Sequence, residues 1–389
     1  MNSQKIRSET LKVYEIGESE IQELLAYNHN VFNQNGLKDL SLPLEPESHV
    51  AVWEEYADKA NKLGALAALK PHLVQFQFPI ASDISKTEAY RGATRKGEPV
   101  EDMAIATGLV FSEPEKLQLR IHQTLAGPIP IIIAGNRNDF VTLVQALTKR
   151  NEPQPVPDSM GACIVGGYNN WHRISLYKEK WRAQNPQHSS ESDWKAEFKR
   201  IIPHKELYQD RFILLSPGFY SNVKPAQLGL TESEWQKLSL EIRLEHECTH
   251  YLTRRFFGSM RNNLMDELIA DYRGIVAAIG YYRADWFLEF LGLESFPVYR
   301  QGGRLENYRG EPPLSERAFK ILQTLVKTAA ENLEYFDRKY YSKGSRNSLE
   351  EVSMLIALTS LTLEELASSS AEKFLESAVT KQHKKLLEN

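Results

Sequence analysis

The side chains best suited to chemistry lie in residues 246–250, which read HECTH and match the pattern H-E-x-x-H. On an α-helix, two histidines four residues apart are offset by only about 40° around the axis and about 6 Å along it. Both imidazoles can therefore reach one metal ion, and the glutamate between them can act on a metal-activated water. The pattern predicts that His246 and His250 bind a metal and that Glu247 is a general base.

Two carboxylates on the next predicted helix offer a third ligand. Glu267 and Asp271 are four residues apart, so they lie on one side of that helix. One of them can bind the metal, while the other accepts a hydrogen bond from the remaining N–H of a ligating imidazole. Two histidines and one carboxylate leave an open coordination position, which is typical of catalytic rather than structural zinc sites.

This arrangement resembles the gluzincin metallopeptidases, in which an H-E-x-x-H helix is followed by a helix with the pattern E-x-x-x-D. Residues 266–271 here read DELIAD, and the resemblance covers residues 238–279. It implies a zincin-like fold, hydrolysis of a peptide or amide bond, and one zinc ion per chain. The residues that it implies as protein ligands are His246, His250 and Glu267.

The resemblance also implies roles for the residues around the ligands. Glu247 is the general base, and Asp271 holds a ligating histidine from behind. Gluzincins generally stabilise the oxyanion with a tyrosine or histidine from downstream sequence, worth about 3–4 kcal/mol by analogy with other oxyanion donors. One departure from the pattern is Asp266, where the superfamily usually has asparagine. The downstream candidates for the oxyanion role are Tyr281, Tyr282 and Tyr308, with Tyr272 and Arg304 as further possibilities.

Local signals predict the two helices that must position these side chains. Residues 231–234 read TESE, a capping box in which Thr231 is the N-cap and Glu234 reaches back. Apolar residues then recur at helical spacing up to Gly258, which favours a C-terminal stop. We therefore expect one helix over 232–257, and a second helix capped by Asn262 or Asn263.

The sequence as a whole predicts an α+β protein. Residues 1–150 have the pattern of a mixed α/β region, to which no role can be assigned, and residues 151–157 read NEPQPVP, typical of a proline-rich linker. Residues 158–389 then form the zincin-like metal-binding region with a helical C-terminal part, in which the H-E-x-x-H helix packs near the E-x-x-x-D helix.

Four short segments are predicted as strands, and one of them is residues 117–121, which alternate in polarity. Residues 74–78 alternate in polarity, and residues 129–133 are apolar, although Pro130 favours an edge position there. Residues 211–216 precede the metal-binding helix. This last strand is either an ordinary interior strand or, as in gluzincin-like folds, an edge against which a peptide substrate pairs.

Composition excludes several classes of function. The 389 residues carry a net charge of −4 and are 42% hydrophobic, so no overall basic field indicates nucleic-acid binding. No run of about 18 apolar residues indicates a membrane span, and the first residues lack the apolar core of a signal peptide. Two cysteines are too few for a disulfide framework. We therefore expect a cytoplasmic protein.

Two alternative functions fit the same motif. Two histidines and a carboxylate also form the metal site of non-haem Fe(II) oxygenases, which could modify a peptide rather than cleave it. A non-catalytic binding protein could retain the pair of helices without an open coordination position. The identity of a peptide or amide substrate and the oligomeric state are not legible in the sequence.

Overall fold

The structure is a computed structural model that describes residues 3–32, 42–187, 190–258, 263–341 and 346–388. The chain divides into two compact units. We call Glu45–Gly218 the sheet unit, and Met1–Leu44 together with Phe219–Asn389 the helical unit. The chain has the predicted α+β class, with a small mixed sheet and a mostly helical region.

Helices occur in both units and form most of the helical unit. In chain order they are α1 (Ser3–Lys12), α2 (Glu18–Tyr27), α3 (Val50–Leu63), α4 (Ala65–Leu69), α5 (Glu88–Lys96), α6 (Arg137–Thr148), α7 (Trp171–Gln184), α8 (Glu191–Ile201), α9 (Glu232–Phe257), α10 (Leu264–Ile279), α11 (Ala284–Leu291), α12 (Glu316–Tyr340), α13 (Ser348–Thr359), α14 (Leu363–Ala367) and α15 (Ala371–Glu388). Among the described residues, none of these helices combines the length and the apolar character needed to span a bilayer.

The sheet unit is built on a mixed four-stranded sheet in the order β1-β2-β4-β3. Its strands are β1 (Gln118–His122), β2 (Ile129–Ile133), β3 (Ala162–Asn169) and β4 (Gln209–Leu215). Strand β2 pairs antiparallel with β1 and parallel with β4, and β4 pairs antiparallel with β3. All five residues of β2 are buried, so its apolar side chains form part of the core.

Two predicted edge strands lie inside this sheet. Pro130 is tolerated in β2 because it faces Ile121 of β1, while the pairing with β4 begins only at Ile131. Within β4, Ile213 pairs with Ile131 on one side and Ile164 on the other. The suggestion that residues 211–216 offer a free edge to a substrate is therefore wrong.

The predicted strand at residues 74–78 is wrong as well. Val74–Gln77 forms a 3-10 helix instead, with the N–H of Phe76 bonded to the carbonyl of Leu73 at 2.8 Å. Phe76 and Phe78 are both buried, but in different hydrophobic clusters. The alternating pattern therefore reflects two separate contacts with the core rather than one face of a strand.

The proline-rich segment 151–157 lies within the sheet unit and does not divide the chain. Asn151 is fully buried, and its amide donates to the carbonyl oxygens of Gln75 and Phe78 at 2.9 and 3.1 Å. Glu152 accepts hydrogen bonds from backbone N–H groups at 83 and 85. These bonds fasten the segment to its own unit, so the boundaries fall instead after residues 44 and 218.

A buried polar network joins helices and strands of the sheet unit. Asp210, in β4, accepts hydrogen bonds from Trp53, Asn170 and Arg173 at 2.7–2.8 Å. The hydroxyl of Tyr56 lies 3.3 Å from the Asn170 amide nitrogen and 2.7 Å from a ring nitrogen of His172. The ring of His172 in turn stacks on that of His72, with 4.2 Å between centroids.

Candidate metal centre

The helix that carries both histidines has the predicted bounds. The hydroxyl of Thr231 accepts a hydrogen bond from the N–H of Glu234, whose carboxylate accepts one from the N–H of Thr231 at 2.9 Å. Helix α9 ends at Gly258, whose φ of 65° is left-handed and favours glycine. His246 and His250 are only 6% and 8% exposed, so α9 presents both imidazoles to the interior of the helical unit.

Helix α10 packs against α9 at an unusually short distance. Asn263 caps α10 by accepting the N–H of Asp266 at 2.9 Å, while the alternative cap, Asn262, lies outside the described residues. A Cβ at Gly274 would lie only 2.7 Å from the carbonyl oxygen of Ile242, so glycine is required there. This approach brings Glu267, about two turns before Gly274, to the histidines of α9.

The ligand atoms of His246, His250 and Glu267 all lie within 4.8 Å of one another. The two Nε2 atoms are 3.1 Å apart, and the two oxygens of Glu267 are each 3.5 Å from one of them. Ligands bonded tetrahedrally to zinc at about 2.0–2.2 Å are separated by about 3.3–3.5 Å. The structure thus brings together the three predicted ligands at a spacing that could hold one metal ion.

Each imidazole has a carboxylate oxygen within hydrogen-bond distance of its Nδ1 atom. Nδ1 of His246 lies 2.8 Å from Oδ1 of Asp271, and Nδ1 of His250 lies 3.1 Å from Oδ2 of Asp266. Carboxylates accept hydrogen bonds, so both rings carry a proton on Nδ1, and in neutral rings Nε2 is left with its lone pair. Asp271 lies at the predicted position beside His246, and Asp266, noted only as a departure from a pattern, lies at the equivalent position beside His250.

Two further side chains complete this surrounding shell. The hydroxyl of Tyr220 donates to Oδ1 of Asp271 at 2.5 Å and lies 2.9 Å from Nδ1 of His246. Arg304 donates to the Tyr220 oxygen at 3.0 Å and also to Asp271. Sequence reasoning missed Tyr220, because it lies in an irregular turn before α9 and belongs to no recognisable motif.

The buried charges of this shell favour a divalent cation. Asp266, Glu267 and Asp271 are buried carboxylates, and the guanidinium beside them belongs to Arg304. With neutral imidazoles, these four groups leave two negative charges uncompensated, which is costly away from water. A divalent cation bound by the three ligands would balance them.

The same electrostatics shift the pKa values of two ligands. Burial alone would lower the pKa of His250, but hydrogen bonds and charges from Asp266 and Glu267 raise it well above its ordinary value. Burial alone would raise the pKa of Glu267, but the hydrogen bond and charge of His250 lower it well below the usual range. Both shifts show that this cluster attracts positive charge, so a metal ion would compete there with protons.

Two predicted catalytic groups, Glu247 and Tyr308, have the environments expected of their proposed roles. Glu247 is half-buried beside His246, and its carboxylate forms no hydrogen bond or ion pair with any residue that the structure describes. Tyr308 is buried, and the charge of Glu267 acts on its hydroxyl. Burial first, and then the charge of Glu267, raise the pKa of Tyr308, so the phenol remains a proton donor.

The other two predicted tyrosines do not contact the ligands within the described part of the chain. Tyr281 is 46% exposed. Tyr282 is fully buried, but its ring packs on Tyr272 and its hydroxyl has no hydrogen-bond partner. Arg304, the non-tyrosine candidate, is engaged with Asp271. Of the predicted oxyanion-stabilising residues, Tyr308 alone is therefore placed beside a ligand.

Comparison with known proteins adds one relationship. No curated protein and no solved structure matches the chain. Residues 9–370, nearly the whole sequence, match a single family description. The chain therefore belongs to the family of unknown function DUF7005.

Proposed function

We propose that this protein is a zinc-dependent hydrolase of the gluzincin type that cleaves a peptide or amide bond. The observation that carries the proposal is the convergence of His246, His250 and Glu267 on one point, with a carboxylate behind each imidazole. The carboxylate of Glu247 is one residue from a proposed ligand and has no partner among the described residues, which supports catalysis over a purely structural site.

The donor set fits zinc. Two imidazole nitrogens and one carboxylate are the ligands of many catalytic zinc sites, and three protein ligands leave one position for water or substrate. When bound, zinc would polarise the scissile carbonyl and lower the pKa of water towards about 7. The two uncompensated negative charges of the shell match the charge of this ion.

Glu247 is the residue proposed to move the proton. Its carboxylate would accept a proton from the attacking water and later donate it to the leaving amine. A base needs an unoccupied acceptor oxygen close to the reacting atoms, and Glu247 meets the first condition among the described residues. The neighbouring Glu245 does not meet it, because Glu245 is paired with Arg273 at 3.1 Å.

Tyr308 is the residue proposed to stabilise the developing oxyanion. A phenol with a raised pKa keeps its proton at neutral pH and can donate it in a hydrogen bond. Because the charge of Glu267 acts on this hydroxyl, we propose that the phenol donates to a substrate oxygen beside the same ligand. Such donors are typically worth about 3–4 kcal/mol in the transition state.

The proposal is tested on protein purified without chelators. Mass spectrometry should find about one zinc per chain, and a library of quenched fluorogenic peptides should reveal hydrolysis. Glu247→Gln should retain zinc but lose at least about 100-fold in rate, whereas Glu245→Gln should keep both. Glu267→Ala should lose zinc, because it removes a ligand.

Three results would contradict the proposal. Stoichiometric iron with activity that depends on a 2-oxo acid would favour the oxygenase alternative. The absence of any bound metal would favour a non-catalytic binding protein. Full hydrolytic activity in Glu247→Gln would exclude this residue as the base.

A further inference from the structure

We propose that Tyr220 is a positioning residue of the metal centre, and that it acts with Arg304 to hold Asp271 and His246 in the arrangement that binds metal. The inference rests on the metal site of the proposed function, but it does not depend on hydrolysis. It assigns a role to a residue that lies outside both metal-binding helices and outside the motif.

Three polar atoms meet at this point within hydrogen-bond distance of one another. The Tyr220 oxygen is 2.5 Å from Oδ1 of Asp271 and 2.9 Å from Nδ1 of His246, and the latter two atoms are 2.8 Å apart. A tyrosine hydroxyl has one proton, and a carboxylate has none to give. The three contacts among these atoms therefore require two protons, and only one of the protons can come from Tyr220.

One assignment of protons satisfies all three contacts. The hydroxyl of Tyr220 donates to Asp271, and the N–H at Nδ1 of His246 is shared between the Asp271 carboxylate and the Tyr220 oxygen. If Tyr220 instead donated to His246, two oxygens without a proton between them would face each other at 2.5 Å. The triangle therefore selects the ring form that, when neutral, leaves Nε2 of His246 available to a metal.

The turn that carries Tyr220 is fixed to helix α9 itself. Ser221 and Asn222 have φ values of 49° and 58°, a left-handed conformation that is unfavourable for residues other than glycine. The N–H of Tyr220 donates to Oγ of Ser239 at 2.9 Å, and Arg243 donates to the carbonyl of residue 219 at 3.1 Å. A strained backbone conformation persists only where surrounding contacts hold it in place, and these two hydrogen bonds do so in this turn.

Arg304 contacts both Tyr220 and Asp271. One of its nitrogens donates to the Tyr220 oxygen and to Oγ of Ser221, both at 3.0 Å, and another donates to Asp271. The same guanidinium thus neutralises Asp271 and fixes the turn. The ring of Tyr220 packs separately on Phe290, with 4.9 Å between centroids, so phenylalanine at 220 would keep this packing and remove the hydroxyl alone.

The experiment compares two variants that each remove one buried hydroxyl. Tyr220→Phe removes a hydroxyl with three polar contacts, whereas Tyr282→Phe removes one without a partner. Zinc affinity is measured by competition with a chromogenic chelator, and the absorption spectrum of the Co²⁺-loaded protein reports the ligand geometry. We expect zinc affinity to fall about 10–100-fold in Tyr220→Phe, with an altered Co²⁺ spectrum, and to stay at the wild-type value in Tyr282→Phe.

A second variant keeps the test decisive if Tyr220→Phe does not fold. Ser239→Ala retains the tyrosine but removes the bond that holds its backbone, so we expect a smaller fall in zinc affinity. If Tyr220→Phe folds and binds zinc with wild-type affinity, the inference is overturned while the zinc site remains intact. If only Ser239→Ala folds, wild-type zinc affinity in that variant has the same meaning. An equal fall in Tyr282→Phe would also overturn it, and a wild-type protein that binds no zinc would overturn the inference and the proposed function together.

Discussion

The carboxylate of Asp266 lies 3.1 Å from Nδ1 of His250, and its second oxygen is buried without a hydrogen-bond partner among the described residues. The gluzincin pattern has asparagine at this position, which would accept the same hydrogen bond without the charge. The aspartate therefore adds a negative charge to the centre at the cost of one unsatisfied buried oxygen. This charge is one of the two that a bound divalent cation would balance.

Replacing Asp266 by asparagine tests the contribution of that charge. The amide oxygen of Asp266→Asn can still accept from His250, so the ring stays in place while the attraction for the cation weakens. We expect zinc affinity to fall about tenfold, and to fall further in Asp266→Ala, which removes the acceptor as well. Competition with a chelator measures both, and unchanged affinity in Asp266→Asn would show that the charge has no part in binding.

Two roles are proposed for Tyr308, and the variant Tyr308→Phe distinguishes them. As an oxyanion donor, its loss should slow hydrolysis of a cleaved peptide by about 10²–10³-fold and leave zinc affinity unchanged. If it serves mainly to hold Glu267, zinc affinity should fall while the rate per bound zinc remains near wild type. Tyr281→Phe is the matched control, because this tyrosine is exposed and should change neither quantity.

The segment that carries Tyr308 is fastened by the N-terminal helices. The hydroxyl of Tyr27, in α2, donates to the carbonyl oxygen of Tyr308, and Glu23 accepts from the N–H and hydroxyl of Ser315 at 2.6 and 2.8 Å. Both ends of the segment 308–315 are therefore attached to α2. Residues 1–44, which belonged to a predicted region of unknown role, are part of the helical unit.

Removing the Tyr27 hydroxyl should loosen this segment selectively. We expect Tyr27→Phe to lower the free energy of unfolding by about 1 kcal/mol and to increase amide hydrogen exchange at residues 304–309. Tyr14→Phe removes another half-buried hydroxyl of the N-terminal region and should not affect exchange at 304–309. Equal exchange there in the two variants would argue against a role for Tyr27 in holding Tyr308.

Stability of the sheet unit should depend on the stacked pair His72 and His172. Burial first, and then the charges of His172 and Lys59, lower the pKa of His72 to about 4. Burial is also the main reason why the pKa of His172 is lowered. The charged groups that act on His172 are Lys59, which lowers its pKa, and Glu55, Glu179 and Asp210, which raise it.

The sign of the pH dependence follows from these directions. An unfolded histidine has a pKa of about 6.5, so between about pH 6.5 and 4 the unfolded chain binds more protons than the folded unit. The free energy of unfolding should be highest above pH 6.5 and fall as the pH is lowered towards 4. The fall should be only about 1 kcal/mol, because water screens the charges of these half-exposed rings. His72→Gln should reduce this dependence, and His204→Gln, at an exposed histidine of the same unit, should not.

Hydrogen exchange at α3 and α7, corrected for the pH dependence of intrinsic exchange, measures this effect. Protection in these helices should fall on acidification in the wild type and less in His72→Gln. Identical pH profiles in the two proteins would remove His72 as the cause.

The local part of the metal centre was predictable from sequence, because its signals are local. Thr231 and Gly258 mark the ends of α9 through capping chemistry, and the four-residue spacings of His246 with His250 and of Glu267 with Asp271 follow from helix geometry. Tyr220 was not predictable, since its hydroxyl reaches the site from a turn whose conformation depends on bonds to Ser239 and Arg304. Nothing in the neighbouring sequence encodes those bonds.

The errors in the sheet unit have a similar origin. The alternation in residues 74–78 is compatible with a strand, but turn bonds and the amide of Asn151 use the backbone groups that a strand would need. The three prolines of 151–157 favour an extended segment, and they do not reveal that Asn151 is buried beneath it. In both cases the contact between Asn151 and residues 75–78, which are distant in sequence, decides between two conformations that the local pattern allows.

The close contact at Gly274 gives the metal centre a particular order of assembly. Two consecutive helices bring the ligands together, and the pairing of His250 with Asp266 spans only 16 residues, so these contacts close short loops at low entropic cost. The bond from Tyr27 to Tyr308 spans 281 residues and can form only when the unit is nearly complete. A nascent chain would therefore bring His246, His250 and Glu267 together on the α9–α10 hairpin first, and position Tyr308 only when the unit closes.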